Sequence, residues 1–204
     1  MLRKTATGTW LPAWVPESTL TLSVLLVLCS VVQSITLGYD ASMLNGLNIL
    51  PSYTEYFNLT PVGFGLNTAS VFIGGALGTP VAGVFSNRYG RRPAIFWSAN
   101  ITVFAVILQT TAQNAAMFVA ARIILGFGSI ISGIAAGVYL SETFPSRWRA
   151  WGVGLLNDFY YVGALIAAGV TLGTGKWPST WAWRLPSLIQ AIFSVLCLIL
   201  LPFV

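Results

Sequence analysis

The chain has 204 residues, 56% of them hydrophobic and only 7% charged, with no histidine and a formal net charge of +5. A soluble domain carries about 25% charged residues, so this composition cannot cover a soluble surface, and it is too apolar for a disordered chain. Two cysteines in apolar runs, Cys29 and Cys197, give neither a disulfide framework nor metal-ligand spacing. Without histidine there is no zinc or imidazole chemistry. No Ser/His/Asp or Cys/His constellation exists to run an enzyme, and no cofactor is expected. A polytopic membrane protein remains.

A bilayer core of about 30 Å takes about 20 apolar helical residues. Six segments satisfy this, at about 19–50, 62–85, 93–113, 117–140, 150–172 and 185–203. Residues 1–18 form a cytoplasmic N-terminal segment and 19–204 the transmembrane bundle. The runs are long and continuous rather than short and alternating, which favours helices over a β-barrel. The first is interrupted by the polar triplet Gly38-Tyr39-Asp40. It is longer than a signal-peptide core, and no small-x-small cleavage site follows it, so it is expected to be retained.

Loop Lys and Arg set orientation. Arg3, Lys4, Arg88, Arg91, Arg92, Arg147 and Arg149 share one side; Lys176 and Arg184 lie on the other. Both termini are therefore expected in the cytoplasm. Topology accounts for the basic balance, and no basic helix or aromatic-basic platform supports nucleic-acid binding. Asn58-Leu59-Thr60 is a glycosylation sequon in the first outer loop, weakened by Pro61. Small pairs four apart, Gly74/Gly78, Gly133/Gly137 and Gly169/Gly173, are expected to let helices approach closely.

Ionisable residues inside spans are costly and mark functional hypotheses. Asp40 in the first span and Arg122 in the fourth fall at similar depths from the outer side, so each would offset the other's desolvation. Such a pair is either a proton-coupling site, if the partner can move, or a static structural ion pair. Asp158 in the fifth span reads as substrate-cavity lining, with a structural role as the alternative. Glu142 at the inner end of the fourth span is either an interfacial charge or part of a cluster with Arg91 or Arg92.

At these residues the sequence resembles the sugar porter family of the major facilitator superfamily. Gly83 through Arg92 (GVFSNRYGRR) looks like the G-x-x-x-D-R-x-G-R-R signature, and Arg122 through Gly128 matches R-x-x-x-G-x-G. Tyr139, Glu142, Pro145 and Arg149 match Y-x-x-E-x-x-P-x-x-x-R, Gly38-Tyr39-Asp40 matches the first-span motif, and Trp183-Arg184 the opening of the sixth span. The stretches from Leu37 to Leu47 and from Trp183 to Gln190 look like the fungal lactose-permease and hexose-transporter-like subgroup.

The resemblance implies alternating access, with sugar and protons as substrates at the interface of two six-helix halves. It implies Asp40 as proton-coupling aspartate with Arg122 as charge partner. Asn157 and Asp158 would line the sugar cavity. Arg88, Arg92, Glu142 and Arg149 would form a cytoplasmic gate network. It further implies a plasma-membrane location and twelve spans, so that these six would be an N-terminal half needing the missing half or a second copy. The alternative is a truncated, non-transporting product or a short sensor or regulatory protein. Four positions depart from the family pattern: Asn87 replaces aspartate, Gly137 proline, Ala150 glycine, and Asp158 a glutamine.

Overall fold

The computed structural model describes residues 2–4, 10–12, 19–143, 146 and 149–203. Seven helices follow in order: α1 Thr19–Leu47, α2 Pro51–Tyr56, α3 Pro61–Tyr89, α4 Arg91–Thr110, α5 Ala115–Thr143, α6 Arg149–Thr174 and α7 Trp181–Leu200. A 3-10 turn, Leu201–Phe203, closes α7. Before them, strands β1 (Leu2–Lys4) and β2 (Trp10–Pro12) pair antiparallel, Leu2 opposite Pro12.

Six of the helices are long and apolar enough to cross a membrane. The protein is an all-α integral membrane protein, as composition requires. Three helices have 29 residues, about 44 Å at 1.5 Å per residue, so they overrun the hydrocarbon or tilt within it. The helix boundaries have local causes. The Thr60 side chain accepts from the Gly63 amide at 3.2 Å, and Pro61 follows at the first helical position, starting α3. Gly90, at φ 95, is the single residue joining α3 to α4; only glycine takes that conformation freely.

Two details differ from the sequence expectation. Gly38-Tyr39-Asp40 does not break the first span: α1 runs through it unbroken. The hydrocarbon leaves no alternative partner for a freed carbonyl, so the helix keeps its hydrogen bonds. The segment after the first span also contains α2, a short helix opened by Pro51.

The helices are sorted by size rather than polarity. On α3 the buried stripe is Asn67, Ser70, Gly74, Gly78, Ala82 and Ser86, while Leu66, Phe72, Leu77 and Val84 are exposed. Lipid solvates large apolar side chains as well as the bundle does, so small residues take the interface.

The same helix contact occurs twice. A Cβ added to Gly38 of α1 would lie 1.8 Å from the Tyr160 carbonyl oxygen of α6, and one on Gly163 of α6 would lie 2.1 Å from the Ile35 carbonyl oxygen of α1. Between α5 and α3, a Cβ on Gly126 would meet the Val71 carbonyl oxygen at 2.1 Å, and one on Gly74 the Ile123 carbonyl oxygen at 2.0 Å. In both pairs the glycine sits three residues from its helix's contacted carbonyl. Successive spans alternate in direction, so α1 and α5 are antiparallel. The bundle is thus two three-helix repeats of opposite orientation.

At the end carrying α2, Tyr53, Phe57 and Phe118 surround Trp183, with ring centroids 5.2–6.2 Å away. At the Gly90 end, Leu26, Ile95, Ala135, Leu140 and Leu201 form a second core. The polar residues discussed next lie between and around these two layers.

Candidate functional site

Asp40 is buried, and the Ser129 hydroxyl of α5 donates to its Oδ2 at 3.3 Å. Its Oδ1 has no hydrogen-bond partner. Arg122 is also buried, with Nε and Nη1 unpartnered and Cζ 6.0 Å from the Phe118 ring centroid. The two are close enough to interact electrostatically. Among the described residues, however, the single ion pair is elsewhere. Asp40 and Arg122, expected at similar depth, are thus not joined as a direct ion pair. Asp40 meets α5 at Ser129, seven residues or about 10 Å of rise beyond Arg122. A helical side chain leans toward its own N-terminus, which carries the guanidinium further from Asp40.

Further buried polar contacts join the helices. Asn67 of α3 donates to the Tyr53 hydroxyl of α2 at 2.9 Å, and Tyr53 interacts electrostatically with Arg122. Burial pushes the Tyr53 pKa up, so it stays a neutral phenol. Gln109 of α4 donates to Ser187 of α7 at 3.2 Å, and Tyr39 donates to the Pro186 carbonyl at 2.9 Å. An amide inside an apolar span was the available signal for Gln109. Nothing in the sequence pointed to Ser129.

A cavity of about 330 Å³ opens between α1, α5 and α6, bordered among others by Ser30, Gln33, Ser34, Asn157 and Tyr160. Asn157, expected in a substrate cavity, borders it. Asp158 is exposed on α6 and is not among its bordering residues.

At the Gly90 end, Arg91 makes a two-pronged ion pair with Glu142: Nη2 to Oε1 at 2.8 Å and Nε to Oε2 at 3.2 Å. Its Nη1 donates to the Ser86 carbonyl at 2.7 Å and to Asn87 Oδ1 at 2.9 Å. The expected network is thus narrower than the resemblance implied. Arg92 turns to α7, where Nη2 donates to the carbonyls of Leu201 (3.1 Å) and Pro202 (3.3 Å), a cation capping a helix C-terminus. Arg88 lies with Cζ 5.9 Å from the Tyr89 ring centroid. Arg149 is exposed and pairs with no described acid. Pro145 and Arg147 lie outside the described residues.

Residues 26–204 match the family Sugar (and other) transporter. The chain belongs to the sugar transporter family. Among relatives of this sugar transporter family member, MFS-type transporter criB of Aspergillus cristatus is 29% identical over 82% of this chain and 37% of that protein. Arabinose-proton symporter of Bacillus subtilis is 25% identical over 88% of the chain and 40% of that protein. Probable glucose transporter rco-3 of Neurospora crassa is 30% identical over 76% and 28%. The fold matches that of the proton:xylose symporter XylE bound to 6-bromo-6-deoxy-D-glucose, with a TM-score of 0.82 at 22% identity, over 92% of this chain and 46% of that one. The chain spans less than half the length of each of these proteins.

Proposed function

We propose that this chain supplies one six-helix half of a secondary transporter that moves a sugar, hexose or disaccharide, together with protons by alternating access. The observation that carries the reading is the Asp40 carboxylate: buried on α1, held on one oxygen by Ser129 and unpartnered on the other. A carboxylate with one free oxygen in a dry site is suited to take up and release a proton. Family membership and the names of the relatives, which include a sugar-proton symporter, support sugar as the co-substrate.

Alternating access needs a second bundle to move against. That second bundle would be either a further six-helix half or a second copy of this chain. Asn157 and Asp158 on α6, with the cavity beside Gln33, would then face that partner and the sugar. The Arg91–Glu142 pair would close the cytoplasmic end, with Arg88, Arg92 and Arg149 nearby. Both termini would face the cytoplasm and the membrane would be the plasma membrane. A non-transporting short product or sensor is the alternative.

Expression of the 204-residue chain in a cell lacking sugar transporters tests the reading. No saturable uptake is expected. Robust uptake by monomeric chain, with no dimer on crosslinking, would overturn the half-transporter assignment.

A further inference from the structure

The two cysteines face each other. Cys29 on α1 and Cys197 on α7 are 168 residues apart in sequence, yet their sulfurs lie 3.5 Å from one another. Both are buried and both are free thiols. Gln33, one turn beyond Cys29 on the same face of α1, donates from Nε2 to Cys197 Sγ at 2.8 Å. The same Gln33 borders the 330 Å³ cavity between α1, α5 and α6.

Each observation does separate work. A disulfide needs sulfurs about 2.05 Å apart, so the gap to close from 3.5 Å is about 1.5 Å. An N–H aimed at a sulfur stabilises negative charge there, and the thiolate is the nucleophile. Cys197 has that donor, so it is the attacking group and Cys29 the resolving one. The two residues are nearly sealed, at 3% and 0% exposure. A small uncharged oxidant entering the cavity reaches the amide that touches Cys197.

We propose that Cys29 and Cys197 are an oxidisable dithiol, a modification site at which a small peroxide joins α1 to α7. The Cys197 thiolate attacks one peroxide oxygen, breaking the O–O bond to give a sulfenic acid and hydroxide, which takes up the thiol's proton as water. The Cys29 thiol then attacks the sulfenic sulfur, forming the S–S bond and releasing a second water. Two thiols are oxidised and one peroxide is reduced to two waters. A reducing cytosol reopens the bridge by thiol exchange, so it forms under oxidative load. Once formed, it pins the Cys29 end of α1, the helix that carries Asp40, to the end of α7 that Arg92 also holds.

The test uses the full chain in vesicles treated with hydrogen peroxide, then denatured and labelled with a polymer-bearing maleimide to count thiols. Both thiols are expected to disappear together and to return with dithiothreitol. After cleavage between α5 and α6, the fragments carrying Cys29 and Cys197 should stay joined without reductant. Cys29→Ser and Cys197→Ser should each abolish the link, and Gln33→Leu should slow its formation several-fold. The wild-type thiol count does not depend on any variant folding. Two countable thiols after peroxide, disulfide-linked dimers, or losses that reductant cannot reverse would each overturn the proposal.

Discussion

Gly38 and Gly126 do the same job in opposite halves of the bundle. Each is a glycine on the first helix of a three-helix repeat, and each lets a carbonyl of the crossing helix approach where a Cβ would stand, at 1.8 Å from Tyr160 and 2.1 Å from Val71. Both lie in motifs that the sequence reading tied to charge, beside Asp40 and Arg122. Their physical role is to bring helix backbones into contact, which holds those charged residues at a fixed depth.

Gly38→Ala and Gly126→Ala are each expected to cost stability, because backbone of the crossing helix already stands where the new methyl would go. Overpacking typically costs about 1–3 kcal/mol, and these sites should lie at or above the upper end. Gly75→Ala, where nothing lies within 4 Å, is the matched control on the same kind of helix and should be neutral. Thermal unfolding in detergent separates them. Equal melting temperatures for Gly38→Ala and Gly75→Ala would contradict the close approach.

Asp40→Asn should abolish uphill, pH-driven sugar accumulation in the transporting assembly while sparing some downhill exchange. The amide keeps the shape and can still accept from Ser129, but it cannot bind and release a proton. It also removes the negative charge that interacts electrostatically with buried Arg122, and uncompensated buried charge is destabilising. Surface expression and sugar binding must therefore be measured beside accumulation. Wild-type accumulation by a normally expressed Asp40→Asn protein would end the proton-coupling assignment.

The Arg91–Glu142 pair should respond to the residue beside it. Asn87 already accepts from Arg91 at 2.9 Å, so Asn87→Asp turns that bond into an ion pair, charged on both sides, without a change of size. The variant should hold the Gly90 end closed for longer, read as slower labelling of a cysteine placed in the cavity at Asn157, and Glu142→Gln should speed the same labelling. Because the pair is partly exposed, its effect should shrink in high salt. Identical labelling rates in all three proteins would show that the pair does not gate.

Topology is testable with surface reporters. Glu55→Cys and Lys176→Cys should react with an impermeant maleimide on intact cells, and a reporter between α3 and α4 should not. Gly90 sits at φ 95, where a cysteine would strain the turn, so Tyr89→Cys, which is 58% exposed, is the better inner reporter. External labelling at Tyr89→Cys would invert the orientation.

Six spans, their approximate limits and the family were legible in the sequence, because hydropathy and loop charge report directly on the water–lipid boundary that each segment must cross. The Arg and Gly motifs were legible as patterns. Which side chains meet was not. Arg91 rather than Arg92 takes Glu142, since the one-residue turn at Gly90 sets how α4 is rotated, and Arg92 faces α7 instead. Ser129 reaches Asp40, and Arg122 stands about two turns away, because helix register follows from the Gly38–Gly163 and Gly74–Gly126 crossings. Lipid solvates apolar side chains on any face, so hydropathy carries no signal about rotation. Only packing in three dimensions decides it, and the same packing brings Cys29 against Cys197 from opposite ends of the chain.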